Sequence, residues 1–558
     1  MMKSYILISL FLLSCFTTTL LSSPLDSSSS NSNSSHNHNN SDSSSSSNSN
    51  EPCRVYIDIK SNYTGNSCGK SLDQACLNMY QALQACGPAG FDPNTDTIDF
   101  NVTVLINDGV YTDKKDFDIY LAPSNNTVVF QAINQGAVTF DMQGQGKPFV
   151  FINDGGDQAS SINFTLQGVA INNGDFQSTG NTVIFSDRKY SSAIINIYDC
   201  VFENHQGING TVLYTYSTSE QNPSQATVTI SRSVFNNNVA QLGASIYFHS
   251  LENLLVSNCT FDNNNASNVG VIYQLSSTIT IIDSAFTSCY TQAGGLIYFF
   301  NQATLAVITN TQFNQNSGGG LRTGCLYIVG GEIINSVFSN NYNLSGILFY
   351  NDYISTENTV SGCTFVNNTN GFYHGGGIFI KRSIIHLNNT VFLNNTAING
   401  GGIYFSPTSN NNTSTFYNVT FSLNTAYNEG GGFLANNTFI TLEDTVMTGN
   451  DAAVGSSIFC QSSTIDIYTS SFSVNSFTQD SSTKGISCGV GQTCRISGDQ
   501  SYYSDYCSSN WTPVKPGRIL TSGQIAGIII GCLAGVFIIC TIIVIIIKKV
   551  SRKGYHSI

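Results

Sequence analysis

Phenylalanine recurs along the middle of the chain at a nearly constant spacing. Successive copies stand 25 to 33 residues apart, at Phe202, Phe235, Phe261, Phe286, Phe313, Phe338, Phe365, Phe392, Phe421 and Phe472, with Met447 in the same place. Asn follows three residues later in most repeats, as at Asn264 and Asn316, and Asn or Asp stands three residues earlier, as at Asn258 and Asp283. Small residues then precede an apolar pair, as in the Gly-Gly-Ile of 401–403. One supersecondary unit is therefore repeated along the chain.

Each unit contains two or three short runs rich in Ile, Val, Thr, Tyr and Phe, such as Thr278–Ile282, separated by Asn and Gly turns. Units of about 26 residues without helical periodicity predict the coils of a parallel β-helix. We expect the Phe of one coil to stack on the Phe of the next inside the cylinder, and Asn to form a hydrogen-bonded ladder at a turn. Leucine-rich repeats are excluded because Leu-x-x-Leu-x-Leu is absent, and propeller blades need about 40 residues.

The pairing of Phe-x-x-Asn with Gly-Gly-x-Ile resembles the repeats of polymorphic outer-membrane adhesins and, more broadly, the pectin-lyase-like right-handed parallel β-helix superfamily. The resemblance covers residues 97–476. Upstream, an apolar run at 102–106 and the following Asp108, Gly109, Val110 and Tyr111 are similar to the opening coils of that superfamily. The resemblance implies an all-β fold, a right-handed parallel β-helix over 95–480. It implies no single function, since β-helices serve adhesins, lyases and glycosidases alike.

The two ends of the chain predict a membrane protein. Residues 1–23 combine one positive charge at Lys3, a short apolar core and small residues, which is typical of a signal peptide. Residues 524–547 are free of charge, and residues 525–547 alone would form a helix about 34 Å long, which is enough to span a bilayer. Basic residues cluster just after this segment, in the tail 548–558, so the tail stays in the cytoplasm. We expect a single-pass type I protein in membrane lipid, at the plasma membrane or in endosomes and lysosomes.

Composition divides the remaining ectodomain. Residues 24–50 are almost wholly Ser, Asn and His and have nothing apolar to bury, so they predict a disordered spacer. Residues 51–94 predict a Cys-rich cap with a helix over 72–85, for which Ser71 and Gln74 are placed as a capping box. Residues 481–523 predict a Cys-containing juxtamembrane stalk.

Cysteines fall into two classes by position. In an oxidising compartment the terminal clusters predict disulfides, whose pairing the sequence leaves open: Cys53, Cys68, Cys76, Cys86, Cys460, Cys488, Cys494 and Cys507. Cys200, Cys259 and Cys363 stand two residues before a repeat Phe, where other repeats have Ser or Thr. We interpret these three as buried small residues because the repeats that carry them are not neighbours.

Charge is sparse and its balance is negative. Only 10% of residues are charged, the net charge is −13, and there is no basic stripe, which argues against nucleic acid as a partner. The topology exposes many Asn-x-Ser/Thr sequons to glycosylation. The candidates are Asn62, Asn101, Asn125, Asn163, Asn209, Asn258, Asn265, Asn343, Asn367, Asn388, Asn394, Asn411, Asn418, Asn436 and Asn510.

Few residues are candidates for catalysis or metal binding. His374, Lys381 and Arg382 place three polar side chains on one coil and are similar in type to those of pectin hydrolases, but no Asp pair lies in the preceding coils. Asp154 and Asp157 supply two carboxylates, which are too few for a Ca²⁺ site. We therefore predict no catalytic residue, no metal site and no cofactor.

The membrane helix and the tail carry two interaction motifs. Gly527, Gly531 and Gly535 form a stripe on which another helix can pack, so homodimerisation and the absence of a partner are equal alternatives. Tyr555 and Ile558 give the tail a resemblance to the Gly-Tyr-x-x-Φ tails of lysosomal membrane glycoproteins. That resemblance implies binding to a clathrin-adaptor subunit and endocytic sorting.

The leading prediction is a non-catalytic ectodomain for surface binding or adhesion, with an extracellular glycan or protein as its ligand. One alternative is a glycosylated shield of a lumenal membrane face, and another is a polysaccharide lyase or glycosidase. Surface Asp and Arg clustered on neighbouring coils would favour the enzyme. Glycans on every face would favour the shield, and a glycan-free aromatic flank would favour the binding protein.

Overall fold

The computed structural model describes residues 52–498, with gaps at 64–67, 94, 154–159, 189–190, 218–225, 250–251, 276–277, 301–305, 352–355, 407–412, 474, 478–484 and 490–493. The predicted signal peptide, spacer, membrane helix and tail lie outside the described residues. So do the candidates Asp154, Asp157, Asn411, Cys507, Asn510, Gly527, Gly531, Gly535, Tyr555 and Ile558. Within the described part, no helix is long and apolar enough to cross a membrane.

The chain winds as a right-handed parallel β-solenoid, which confirms the predicted fold. Each complete coil passes from sheet A through sheet C to sheet B, and from Val239 onward most coils add a strand in sheet D between sheets C and B. Every pairing between coils is parallel and joins residues at the same place in successive repeats, as Phe261 pairs with Phe286. The repeat in the sequence is therefore the coil of the structure.

Sheet A has 16 strands: Cys53–Ile57, Val102–Ile106, Asn126–Ala132, Ser161–Gln167, Ser192–Tyr198, Ala226–Ser231, Glu252–Ser257, Thr278–Ile282, Ala306–Thr309, Gly331–Ile334, Thr356–Ser361, Ser383–Asn388, Thr413–Tyr417, Phe439–Glu443, Thr464–Tyr468 and Arg495–Gly498. Sheet C has 14 strands: Gly109–Tyr111, Val138–Asp141, Val169–Asn172, Val201–Glu203, Val234–Asn236, Thr260–Asp262, Ala285–Thr287, Gln312–Asn314, Val337–Ser339, Thr364–Val366, Val391–Leu393, Thr420–Ser422, Val446–Thr448 and Ser471–Ser473.

Sheets D and B share one long strand, Tyr290–Phe299. The other strands of sheet D are Val239–Leu242, Asn265–Val269, Ser317–Gly318, Thr369–Asn370, Thr396–Asn399, Thr425–Glu429, Asp451–Val454 and Ser476–Phe477. Those of sheet B are Ile119–Leu121, Val150–Asn153, Ile184–Arg188, Leu213–Ser217, Ile246–Phe248, Ile272–Gln274, Thr323–Ile328, Ser345–Tyr350, Ile378–Lys381, Ile403–Ser406, Phe433–Asn436, Ile458–Gln461 and Ile486–Cys488.

The corner between sheets A and C explains the Asn or Asp found three residues before most of the repeat Phe residues. This residue has φ between 48° and 57°, in the left-handed region, at Asp199, Asn258, Asp283, Asn310, Asn335, Asn389, Asn418 and Asp444. Asn and Asp tolerate this conformation better than other residues with a Cβ. The turn role expected from the sequence is thus set by backbone geometry.

The repeat Phe side chains form a continuous stack inside the solenoid. From Phe202 to Phe421, ring centroids of successive coils are 4.5 to 5.2 Å apart. All these rings are fully buried. Offset stacks of this kind contribute about 0.5–1.5 kcal/mol per pair beyond the area that they bury.

A ladder of buried Asn side chains runs beside the Phe stack, as the spacing predicts. Asn424 Nδ2 donates to the carbonyl of Phe392 at 2.9 Å and to Asn450 Oδ1 at 3.0 Å. Asn424 Oδ1 in turn accepts from the backbone N–H of Asn395 at 3.0 Å. His205 begins the ladder in place of Asn, because its N–H donates to Asn238 Oδ1 at 3.1 Å. Each rung therefore satisfies polar groups that would otherwise be buried without partners.

The small residues before sheet B are required by close approach between coils. A Cβ on Gly401 or Gly402 would lie 2.5 Å from the carbonyl oxygen of Gly431 or Gly432 on the next coil. Real Cβ atoms do not approach a backbone oxygen so closely, so these positions hold only glycine without a shift of the chain.

The predicted helix over 72–85 is correct only in its second half. The structure has a 3₁₀ turn, Leu72–Gln74, and a separate α-helix, α1, at Met79–Cys86. Cys76 lies between them because it forms a β-bridge with Ile57, which holds the chain extended there. Ser71 makes no side-chain capping bond, and Asn78 caps α1 instead by accepting from Gln81 N at 3.0 Å.

The solenoid extends beyond the predicted boundaries at 95 and 480. The strand Cys53–Ile57 pairs with Val102–Ile106, and Arg495–Gly498 pairs with Thr464–Tyr468, so parts of the predicted cap and stalk belong to sheet A. Disulfides fasten both ends: Cys53–Cys86, Cys68–Cys76 and Cys460–Cys494, and Cys488 is disulfide-bonded as well. The free cysteines of the described part are buried: Cys200, Cys259, Cys289, Cys325 and Cys363.

Candidate binding surface on sheet B

The outward face of sheet B carries a column of aromatic residues. In the strand Ile272–Gln274, Ile272 and Gln274 are buried in the core, while Tyr273 points outward and is partly exposed. The strand register places an aromatic residue at this position in eight successive coils: Tyr120, Phe151, Phe185, Tyr214, Tyr247, Tyr273, Tyr298 and Tyr327. We call this column the outer ladder.

The rings of the outer ladder stack on one another. Successive centroids are 4.8 to 5.4 Å apart, and from Tyr214 to Tyr298 the planes are within 5° of parallel. Each ring face is therefore covered by its neighbours, and the ladder offers solvent its ring edges and phenol hydroxyls. At strand spacing, the eight rungs extend for about 34 Å.

The hydroxyls in the middle of the outer ladder are uncharged, and the least accessible of these residues is Tyr247, at 7% exposed. Burial raises the pKa of Tyr247 and of Tyr273, and it raises the pKa of Tyr298 to about 12, so all three remain phenols at physiological pH. Among the described residues, none of these three hydroxyls has a hydrogen-bond partner. Each can both donate to and accept from a ligand.

The glycosylation candidates avoid the strands of the outer ladder. Asn163 and Asn388 lie in sheet A, and Asn101 and Asn125 directly precede strands of sheet A. The others are distributed over the first corner after sheet A (Asn62, Asn258, Asn418), the sheet C to sheet D side (Asn265, Asn367, Asn394) and the approach to sheet B (Asn209, Asn343). Asn436 alone lies in a described strand of sheet B, beyond the outer ladder. Asn343 is only 8% exposed.

A cationic cluster closes the C-terminal end of the outer ladder. Leu348 occupies the next ladder position and is buried, while Tyr350 stacks on Tyr327 at 5.5 Å. Arg322 Nη1 donates to the hydroxyl of Tyr350 at 2.9 Å, and its Nε donates to the hydroxyl of Tyr373 at 3.0 Å.

Lys381 completes the cluster. Its Nζ donates to the same hydroxyl of Tyr350 at 2.7 Å and lies 4.1 Å from the centroid of that ring. The geometry is that of a cation–π contact combined with a hydrogen bond. We call Arg322, Tyr350, Tyr373 and Lys381 the Arg322 cluster.

The three polar residues singled out on one coil are only partly brought together. Lys381 belongs to the Arg322 cluster, and His374 packs beside it, with its ring 4.8 Å from Tyr373 and 4.4 Å from Tyr404. Burial lowers the pKa of His374, which favours the neutral imidazole. Arg382 instead occupies an exposed left-handed turn after the strand, with φ of 53°.

Sequence reasoning missed Arg322, Tyr350 and Tyr373. These residues have no fixed place in the repeat, because Arg322 follows an irregular glycine-rich segment and Tyr373 lies in the connection between sheets D and B. The sequence signal that could have indicated this cluster is the presence of basic and aromatic residues beside the glycines of two irregular connections.

One Asp and Arg pair does lie on neighbouring coils, the arrangement expected of an enzyme. Arg232 donates through Nε to Asp199 Oδ1 at 2.6 Å and through Nη2 to Asp199 Oδ2 at 2.9 Å. Hydrogen bonding to Arg232 lowers the pKa of Asp199, so the pair is a closed salt bridge. In the described ranges, no three His, Cys, Asp or Glu residues are grouped so as to hold a metal ion.

No model of a protein family matches the sequence, and no curated protein matches it. Several solved structures do match. Tailspike protein 3 of bacteriophage CBA120 gives a TM-score of 0.29 at 12% identity, covering 74% of this chain and 59% of the tailspike. A mannuronic acid specific polysaccharide family 6 lyase from human gut microbiota gives 0.27 at 12% identity, with 66% of this chain and 81% of the lyase covered.

A third match is the catalytic unit of a thermostable α-1,3-glucanase from Streptomyces thermodiastaticus, with a TM-score of 0.26 at 14% identity, covering 71% of this chain and 64% of the glucanase. These neighbours are pectin-lyase-like β-helix proteins, the superfamily that the repeats resemble. The likeness concerns the fold, and the activities in their names are properties of those proteins.

Proposed function

We propose that the solenoid is a binding ectodomain whose outer ladder holds a linear extracellular polysaccharide. The observation that carries the proposal is the combination of eight stacked aromatic rungs with strands that contain no sequon. A surface free of glycosylation candidates on a chain rich in them is the arrangement expected of a binding protein rather than of a shield.

The repeat of the surface supports a repeating ligand. From Tyr214 to Tyr298, each rung offers a ring edge and a phenol oxygen at nearly the same spacing. One such hydrogen bond contributes only about 1 kcal/mol, but contacts made by one polymer to successive rungs reinforce one another. A folded protein partner would present an irregular surface and would gain less from identical rungs.

Removing the hydroxyls without the rings tests the proposal. The variant Tyr247→Phe, Tyr273→Phe, Tyr298→Phe keeps the stack and removes the three free hydroxyls. We expect its affinity for those members of a panel of neutral and acidic linear polysaccharides that the unmodified protein binds to fall by about tenfold or more. The matched control, Tyr417→Phe with Tyr468→Phe, removes two exposed hydroxyls from sheet A and should bind as the unmodified protein does. Equal binding by both variants would overturn the proposal.

The proposal extends to the location of the protein. A signal peptide over 1–23 and a membrane helix over 524–547 would hold the solenoid outside the cell or in a lumen, and Tyr555 and Ile558 would direct it to endosomes through a clathrin adaptor. Microscopy of the tagged full-length protein and its Tyr555→Ala form tests this step. A shift of the variant from vesicles to the surface supports sorting, and an unchanged distribution contradicts it.

Catalysis is the alternative function. A lyase or glycosidase would release shortened products from the same polysaccharides, so product analysis of the panel separates cleavage from binding. Product formation that Arg322→Gln or Lys381→Ala abolishes would replace the binding proposal with an enzymatic one.

A further inference from the structure

We infer that Arg322 is an anion-recognition point at the end of the outer ladder, and that the polysaccharide bound there is acidic, with carboxylate or sulfate groups. This inference rests on the proposed function, because it names the chemical class of the ligand of the same surface. The inference also gives the binding surface a direction, because the acidic group is recognised at the C-terminal end of the ladder.

The guanidinium of Arg322 is oriented but not neutralised. Its Cζ lies 5.6 Å from the ring centroid of Tyr350 and 5.8 Å from that of Tyr373, and both phenols accept hydrogen bonds from it. Across the described residues, no carboxylate contacts Arg322, and its Nη2 has no hydrogen-bond partner. The residue is exposed. Of the five N–H donors of a guanidinium, two are therefore used, and three have no partner among the described residues.

Such a guanidinium is prepared to bind an anion. The two phenols restrict a side chain that would otherwise lose about 2 kcal/mol of rotamer freedom on binding. Charge-assisted hydrogen bonds from Arg to carboxylate or sulfate are about twice as strong as neutral ones. Lys381 donates to the same phenol oxygen as Arg322, so a second positive charge stands beside the first.

The cluster is continuous with the outer ladder. Tyr350 both accepts from Arg322 and stacks on Tyr327, the last rung. A polymer that lies along the phenol hydroxyls therefore reaches Arg322 without leaving the aromatic surface. The aromatic run ends at this point, because Leu348 replaces the next ring and is fully buried.

The competing explanation is structural: Arg322 would only fasten its glycine-rich segment to Tyr373. That role predicts a loss of stability when Arg322 is replaced and no effect of ligand charge. The variants Arg322→Gln and Arg322→Lys are therefore compared for thermal unfolding and for binding. Arg382→Gln is the matched control, because Arg382 is also exposed and also has a positive φ.

The experiment measures binding of the full-length protein to three probes at low and at physiological salt: a polyuronate, a sulfated glycosaminoglycan and a neutral linear glucan. We expect Arg322→Gln to weaken binding of at least one acidic probe about tenfold or more and to reduce its salt dependence, with neutral binding and the unfolding temperature unchanged. Arg322→Lys should bind the acidic probe more tightly than Arg322→Gln but less tightly than the unmodified protein. Lysine keeps the positive charge but lacks the two parallel donors of a guanidinium. Preference for the polyuronate or for the sulfated probe identifies the acidic group.

Failure of this inference is distinguishable from failure of the proposed function. If Arg322→Gln binds every probe as the unmodified protein does, or if it weakens neutral and acidic probes equally, Arg322 does not recognise an anion. The outer ladder proposal then stands or falls with the Tyr→Phe variant alone. If Arg322→Gln loses the acidic probe while that variant loses nothing, the anion site stands and the ladder proposal falls.

Discussion

Two aromatic columns run along parts of the solenoid, and they differ in what surrounds them. The inner Phe stack and the outer ladder have nearly the same spacing, 4.5 to 5.2 Å against 4.8 to 5.4 Å. The inner rings are buried on every side and lie next to the satisfied Asn ladder. The outer rings cover each other, and among the described residues the hydroxyls of Tyr247, Tyr273 and Tyr298 have no hydrogen-bond partner. Parallel register produces both stacks, and the face of the strand decides whether the stack stabilises the fold or forms a surface.

The two columns also end differently. The inner stack continues through Met447 to Phe472, because any gap inside the solenoid would leave a cavity. The outer ladder is interrupted at Leu348, where Arg322 and Tyr373 come to lie over the surface. An outward column has no cavity to fill, so its sequence is free to change where a different surface is useful.

The largest expected difference between the columns is in stability. Phe286→Ala should lower the free energy of unfolding by about 4 kcal/mol, because it leaves a cavity between two stacked rings. Tyr273→Ala should cost about 1 kcal/mol, because the outer ring is partly exposed in the native state. Urea unfolding followed by circular dichroism measures both. Equal losses would show that the outer ladder is as much a part of the core as the inner stack.

The first rung of the inner Asn ladder should make stability depend on pH. Burial lowers the pKa of His205 to about 4 from 6.5, and the ring accepts from the N–H of Gly174 at 3.0 Å, so the folded state holds it neutral. Neutral His205 contributes about 3 kcal/mol to the free energy of unfolding. This contribution is complete above pH 6.5 and is lost as the pH falls toward 4. His205→Asn restores the usual ladder residue and should flatten the stability profile over this range. An unchanged profile would contradict the assignment.

Removing one Asn from the inner ladder should have a smaller effect. Asn424→Ala leaves the carbonyl of Phe392 and the N–H of Asn395 without partners inside the solenoid, at a cost of about 2 kcal/mol. The matched control is Asn263→Gly, which removes an exposed side-chain hydrogen bond to Asn237. Glycine adopts the positive φ of this position without strain. The control should cost less than about 0.5 kcal/mol. Similar losses in denaturant midpoint for the two variants would contradict the buried ladder.

The smallest effect on stability belongs to the outer hydroxyls. Tyr298→Phe should change the free energy of unfolding by less than about 0.5 kcal/mol, because the hydroxyl has no partner among the described residues and the ring stack is kept. Thermal unfolding checks this value. A clear loss of stability would mean that the hydroxyl serves the fold rather than a ligand.

The contrast between the columns also explains how far the sequence could be interpreted. Phe261 and Asn264 recur because every coil must satisfy the same buried packing and the same backbone groups, so spacing alone predicted the solenoid. The separation of Tyr273 from the repeat Phe varies with the connection between sheets D and B, and its identity changes among Tyr, Phe and Leu, which hid the outer ladder.

Tertiary contacts account for the remaining differences. Arg322 and Tyr373 are 51 residues and two coils apart, and they meet only because successive coils are stacked. The pattern at 72–85 predicted one helix, and the bridge of Cys76 to Ile57 divided it. In both cases a pairing distant in sequence overrode the local pattern, which periodicity cannot detect.

Placing a glycan on the outer ladder tests the central claim most directly. Tyr273→Asn with Leu275→Thr creates an Asn-x-Thr sequon on a ladder rung, and Thr441→Asn with Glu443→Thr creates one on the outward face of sheet A. Occupancy of both is confirmed by mass before binding to the polysaccharide panel is measured. The account predicts that the ladder glycan abolishes binding and that the sheet A glycan leaves it unchanged. Retained binding with the ladder glycosylated would contradict the assignment of this surface.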